Sequence, residues 1–149
     1  MKRIKKKIVT FYKSESFHHK DNRRDLFGIA STQKIKVDFC QIKLITFTNE
    51  SVKKKLVTGN HRHHKNSDQW EYIIVLGNSD DKDLIEFRFR NYEEPIQRKF
   101  LKAGDIISIP PGCSLGLVPL TDQVKIVEVS NKKYSENYEK INLFDEKVL

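Results

Sequence analysis

The chain has 149 residues, with 28 Lys or Arg against 20 Asp or Glu and a net charge of +8. No apolar run approaches the roughly 18 residues that cross a bilayer, and the run after the basic start is too short for a signal peptide. Two cysteines are too few for a disulfide scaffold. The sequence therefore predicts a single cytoplasmic domain, residues 1–149, with reduced thiols and anionic partners.

Short apolar and β-branched runs follow one another along the chain, separated by Gly, Asn, Asp and Pro. About ten short strands are expected. The runs lie at 8–12, 26–30, 35–47, 56–58, 70–76, 84–89, 100–101, 106–109 and 124–129. Helical spacing is hard to find, and the tail 131–149 is compatible with a strand or a short helix. Many short strands joined by such turns predict an all-β sandwich or barrel.

Three of the five histidines fall within residues 61–64. Side chains alternate along a strand, so His61 and His63 are expected on one face and Arg62 on the other. Because histidine has an unperturbed pKa of about 6.5, such a pair suits acid–base catalysis or metal binding. The alternative is an exposed polar loop whose histidines face water. His18 and His19 lie in a polar stretch and are interpreted as surface residues.

Three segments carry a resemblance to a known superfamily. Gly59-x-His61-x-His63, then Glu71, and then residues 104–112 with their Gly-x5-Pro-x-Gly pattern resemble the two motifs of the cupins. The resemblance implies a cupin jelly-roll barrel with the histidines at its mouth. Leu115 stands where the last histidine ligand of the family is expected. A site that lacks one imidazole binds transition metals more weakly, so a metal is the less favoured interpretation and no cofactor is expected.

Within the cupins, the chain is similar to the metal-independent sugar-nucleotide branch. This branch contains dTDP-4-keto-sugar 3,4-ketoisomerases and dTDP-4-dehydrorhamnose 3,5-epimerases. The similarity lies in residues 21–29, in the histidine strand and in residues 127–138, whereas Thr58 replaces an arginine of the family. It implies an isomerase or epimerase that acts on a nucleotide-linked keto sugar, and a homodimer.

Moving a carbonyl along a sugar ring requires a base that removes the neighbouring proton and an acid that returns one. His61 is the expected base and His63 its partner. Arg62, if it bends inward, or Tyr72 is expected to stabilise the enediolate. Glu71 and Arg23 are further predicted substrate contacts.

Two other functions compete with an enzyme. A non-catalytic cupin that binds a sugar or nucleotide, as a sensor or accessory protein, is favoured by Leu115 and Thr58. A nucleic-acid binder is permitted by the charge, but the basic runs lack interleaved aromatic residues on which bases would stack.

Overall fold

The structure, a computed structural model, describes residues 6–13, 18–22, 25–27, 39–64, 66–77, 81–132, 138–145 and 148. Within these ranges the backbone forms twelve strands and one short helix. They are β1 (Thr10–Lys13), β2 (His18–Lys20), β3 (Asp25–Phe27), β4 (Gln41–Thr46), α1 (Asn49–Lys53), β5 (Thr58–His63), β6 (Glu71–Leu76), β7 (Ile85–Asn91), β8 (Gln97–Leu101), β9 (Asp105–Ile109), β10 (Cys113–Pro119), β11 (Lys125–Ser130) and β12 (Tyr138–Lys140). The predicted all-β class is confirmed. In the described part of the chain, no helix is long and apolar enough to cross a membrane.

Ten of these strands form two five-stranded antiparallel sheets. The first sheet has the order β1-β9-β6-β11-β4 and the second has the order β12-β5-β10-β7-β8, while β2 and β3 pair with each other. From β9 to β11 the chain crosses from one sheet to the other at each step. This alternation produces the two facing layers of a jelly roll.

The core lies between the two sheets. In β7 the apolar residues Ile85, Phe87 and Phe89 are buried, whereas Glu86 and Arg88 are half-buried on the other face. This period of two is the pattern expected for a strand with one buried side. The inward residues of both sheets belong to one cluster, which includes Phe87, Leu115 and Leu117 from the second sheet and Ile73, Ile107 and Ile126 from the first. Burying one such side chain contributes about 1.5–3 kcal/mol.

Three elements were absent from the sequence-based prediction, namely the short strand β2, strand β10 and helix α1. Strand β10 lies between β5 and β7, and every one of its residues is buried. It contains Gly116 and Pro119, which are poor strand formers, so its sequence lacks a continuous β-branched run. Helix α1 begins after Thr48, whose side chain accepts a hydrogen bond from Ser51 N at 3.1 Å. At five residues it is too short to show a helical period.

Candidate active site

A β-bulge sets the direction of the histidine strand. Gly59 pairs with Gly116 and His61 pairs with Leu115, so Asn60 is an extra residue in β5. Asn60 has a φ of 53°. Its carbonyl accepts a hydrogen bond from Ile141 N at 2.8 Å, which ties the C-terminal segment to the bulge. A bulge of this kind re-aims the side chains that follow it.

His63 and Glu71 connect the two sheets. His63 Nε2 lies 2.6 Å from Glu71 Oε1, and the two residues are 6% and 4% exposed. Burial alone raises the pKa of the Glu71 carboxyl, but the hydrogen bond to His63 and the charges of His63, His61 and Lys43 outweigh it and lower that pKa. Glu71 is therefore ionised at neutral pH and orients the imidazole.

Two further polar atoms of this dyad are buried. Among the described residues, neither His63 Nδ1 nor Glu71 Oε2 has a hydrogen-bond partner. Buried polar atoms in folded proteins are nearly always paired with protein, water or a ligand. Both atoms thus have hydrogen-bonding capacity that no described residue uses.

His61 and Tyr138 lie beside the dyad. The ring centroids of His61 and His63 are 5.1 Å apart, and that of Tyr138 lies 4.9 Å from His61. Strand β12 places Tyr138 there by pairing it with His63. The sequence places Tyr138 only at the end of the similar segment 127–138, because nothing local shows that the tail returns to β5.

A second pair of charged residues completes the cluster from the first sheet. Lys43 on β4 lies directly opposite Glu128 on β11, and Lys43 Nζ is 2.9 Å from Glu128 Oε1. Burial and the negative charge of Glu71 raise the pKa of Glu128, although the hydrogen bond from Lys43 opposes them. Sequence reasoning missed this pair. The available signal was a glutamate between the apolar residues Val127 and Val129 of a strand.

One predicted substrate contact, Tyr72, lies away from the histidine pair. Tyr72 follows the inward-facing Glu71 in β6, so it projects from the outer face of the first sheet and stacks on Trp70 at a centroid distance of 6.5 Å. Tyr72 therefore does not lie where it could donate a hydrogen bond to an enediolate at the histidine pair. Arg23 lies outside the described residues.

Arg62 does not bend inward. Its Nε donates to Glu139 Oε2 at 2.8 Å and its guanidinium NH1 donates to Glu93 Oε1 at 2.7 Å. Both hydrogen bonds raise the pKa of Arg62. The side chain lines a cleft of about 330 Å³ that also includes His64 and Tyr92. Arg62 therefore holds β12 against β5 from the outer face and does not reach the histidine pair.

The metal-binding capacity of the cluster rests on three side chains. Donor atoms of His61, His63 and Glu71 all lie within 4.8 Å of one another, so these residues could hold an ion with two nitrogens and one oxygen. Leu115 lies directly opposite His61, is 2% exposed and belongs to the core. Methyl groups therefore occupy the place where the cupin pattern supplies another imidazole.

Two facing antiparallel sheets, with a histidine pair turned inward from β5, define a jelly-roll barrel of the cupin type, and the predicted fold is confirmed. No protein-family model and no curated protein sequence matches the chain. Solved structures do match it.

Three of these structures illustrate the likeness. A mutant of the 3,4-ketoisomerase QdtA from Thermoanaerobacterium thermosaccharolyticum, in complex with TDP-4-keto-6-deoxyglucose, has a TM-score of 0.64 at 16% identity, covering 89% of this chain and 86% of that one. The WlaRB TDP-quinovose 3,4-ketoisomerase from Campylobacter jejuni has a TM-score of 0.65 at 11% identity, with 89% and 92% covered. The dTDP-4-dehydrorhamnose 3,5-epimerase from Bacillus anthracis has a TM-score of 0.63 at 15% identity, with 89% and 77% covered. At these identities the likeness shows the fold.

Proposed function

We propose that the protein is a metal-independent isomerase or epimerase that acts on a nucleotide-linked keto sugar by histidine acid–base proton transfer. The observation that carries the proposal is the buried dyad of His63 and Glu71 next to His61. The dyad lies in a fold that this chain shares with two 3,4-ketoisomerases and a 3,5-epimerase.

The dyad favours His63 as the base. Because Glu71 is ionised, it accepts a hydrogen bond from His63 Nε2, and the neutral ring then carries its lone pair on Nδ1. That nitrogen has no partner among the described residues. His61, whose ring centroid lies 5.1 Å from that of His63, is the second histidine at the proposed substrate site. This assignment reverses the roles expected from the sequence alone.

The ligand is proposed to be a TDP-linked 4-keto sugar. Two of the three structures described above hold TDP or a TDP-sugar, and the net charge of +8 attracts a pyrophosphate group. Lys43 lies on the first sheet beside the dyad and contributes positive charge at the site itself.

The direct test is turnover of TDP-4-keto-6-deoxyglucose in the presence of a chelator, followed by NMR in deuterated water. We expect deuterium to enter the carbon next to the carbonyl and an isomerised or epimerised product to accumulate. A protein that binds the compound but neither exchanges nor converts it would be the non-catalytic sugar-nucleotide binder instead. Activity that disappears with the chelator and returns with a divalent metal would overturn the metal-independent mechanism.

The predicted homodimer and cytoplasmic location stay predictions. Light scattering coupled to size-exclusion chromatography tests the first, with a mass of twice 17.5 kDa as the expected result.

A further inference from the structure

Strand β11 carries an acidic side chain into the interior. Glu128 lies between Lys43 of β4 and Ile73 of β6, and Ser130, two residues further on, pairs with Glu71. Glu128 and Glu71 therefore lie on the same face of the first sheet, one pleat apart on neighbouring strands. The Glu128 side chain is 14% exposed, and its Oε1 accepts from Lys43 Nζ at 2.9 Å.

The two carboxyl groups have opposite electrostatic environments. The hydrogen bond and charge of His63 hold the pKa of Glu71 below its ordinary value, although burial opposes this effect. Burial and the charge of Glu71 hold the pKa of Glu128 above its ordinary value, although Lys43 opposes this effect. When neighbouring carboxyls are separated in this way, one serves as the ionised group and the other as the acid.

A 3,4-ketoisomerisation moves two protons, and His63 accounts for one of them. It takes a proton from C3 and later delivers one to C4. The other proton must reach the C4 oxygen as that carbonyl becomes a hydroxyl, and must leave the C3 oxygen as that hydroxyl becomes a carbonyl. A second proton-transfer group near the sugar is therefore required.

We propose that Glu128 is the catalytic residue that carries this hydroxyl proton. The proposal rests on the proposed function. In the first step the C3–H bond breaks toward His63, a C3=C4 double bond forms and the C4 oxygen becomes an oxyanion, which then takes the proton of the Glu128 carboxyl. In the second step the Glu128 carboxylate takes the proton of the C3 hydroxyl, the C3=O bond forms, and His63 returns its proton to C4. Each group ends as it began, so the cycle needs no further reactant.

Lys43 has a positioning role in this scheme. It holds Glu128 Oε1, so we assign the proton exchange to Oε2. Its positive charge also stabilises the Glu128 carboxylate between the two steps.

The test separates proton removal from carbon from completion of the isomerisation. The substrate carries deuterium at C3, and NMR follows both its loss to solvent water and the appearance of product. For Glu128→Gln we expect product formation to fall by about 10²–10⁴-fold while loss of deuterium falls by less than about tenfold. Glu128→Asp, which keeps the carboxyl group on a shorter side chain, should show the same separation to a smaller degree. Glu50→Gln, which removes a carboxylate on the exposed helix α1, is the matched control.

The outcomes are distinguishable. Unchanged product formation by Glu128→Gln, or an equal fall in deuterium loss and product formation with TDP binding intact, overturns the role of Glu128 while leaving the enzyme assignment in place. If Glu128→Gln does not fold, the ratio of the two rates in Glu128→Asp decides by the same criterion. A parent protein that neither exchanges nor converts the substrate overturns the proposed function itself.

Discussion

His63 Nε2 and Glu71 Oε1 meet at 2.6 Å across the two sheets, with both side chains buried. The two residues are only eight positions apart, yet β5 belongs to the second sheet and β6 to the first. The dyad therefore both connects the layers and fixes the tautomer of the ring that we propose as the base.

Replacing the proposed base should remove turnover while leaving binding intact. We expect His63→Asn to lower kcat by about 10²–10⁴-fold, because a positioned general base contributes that much. Steady-state kinetics and calorimetric titration with TDP measure the two effects. His64→Asn is the control, since His64 is exposed and lines the outer cleft. Equal activity of the two variants would contradict the assignment of His63.

The two carboxyls should change the pH dependence of stability in opposite directions. The folded pKa of Glu71 is lowered, so its contribution is fully present above the unfolded pKa and is lost as pH falls through the folded value. The folded pKa of Glu128 is raised, so its contribution is present below the unfolded pKa and is lost as pH rises through the folded value.

The corresponding variants make this prediction measurable by urea unfolding at a series of pH values. Glu71→Gln should lose less stability than the parent on acidification. Glu128→Gln should lose less than the parent on raising the pH from the acid range toward neutrality. Parallel curves for the parent and both variants would contradict the opposite shifts.

Gly59 should tolerate no side chain. Its φ is +94°, and a Cβ there would lie 2.9 Å from the Leu115 carbonyl oxygen. Gly59→Ala should lower the free energy of unfolding by about 1–3 kcal/mol because of the backbone conformation, and by a similar amount because of the clash. At Gly104, where φ is +86°, no described atom lies within 4 Å of such a Cβ, so Gly104→Ala should cost the conformational part alone. Denaturant unfolding of the two variants measures the difference, and equal losses of stability would show that the approach of β10 to the bulge is looser than described.

The two thiols should differ in reactivity. Cys40 is exposed, whereas Cys113 is buried, and burial raises the pKa of the Cys113 thiol to about 11. Because the thiolate is the reactive form, a thiol reagent at about pH 8 should modify one cysteine in the native protein and two after unfolding. Cys40→Ser should remove the native reaction entirely. Rapid modification of Cys113 in that variant would mean that the interior opens readily.

Much of the barrel could be predicted because strand patterns are local. Ile85, Phe87 and Phe89 alternate with charged residues, and this spacing alone predicts a strand with one buried face. Strand β10 was missed for the converse reason: Gly116 and Pro119 interrupt its apolar run, and its place between β5 and β7 depends on residues far away in the sequence.

Within the site, the sequence by itself determined that His61 and His63 share a face, because alternation along a strand depends only on neighbouring residues. Tertiary structure decided which face of β6 is interior, and so placed Glu71 with the histidines and Tyr72 outside. It also paired Lys43 with Glu128, 85 positions apart, and Arg62 with Glu139, 77 positions apart. Such contacts depend on which strands become neighbours, and strand order is a property of the whole chain.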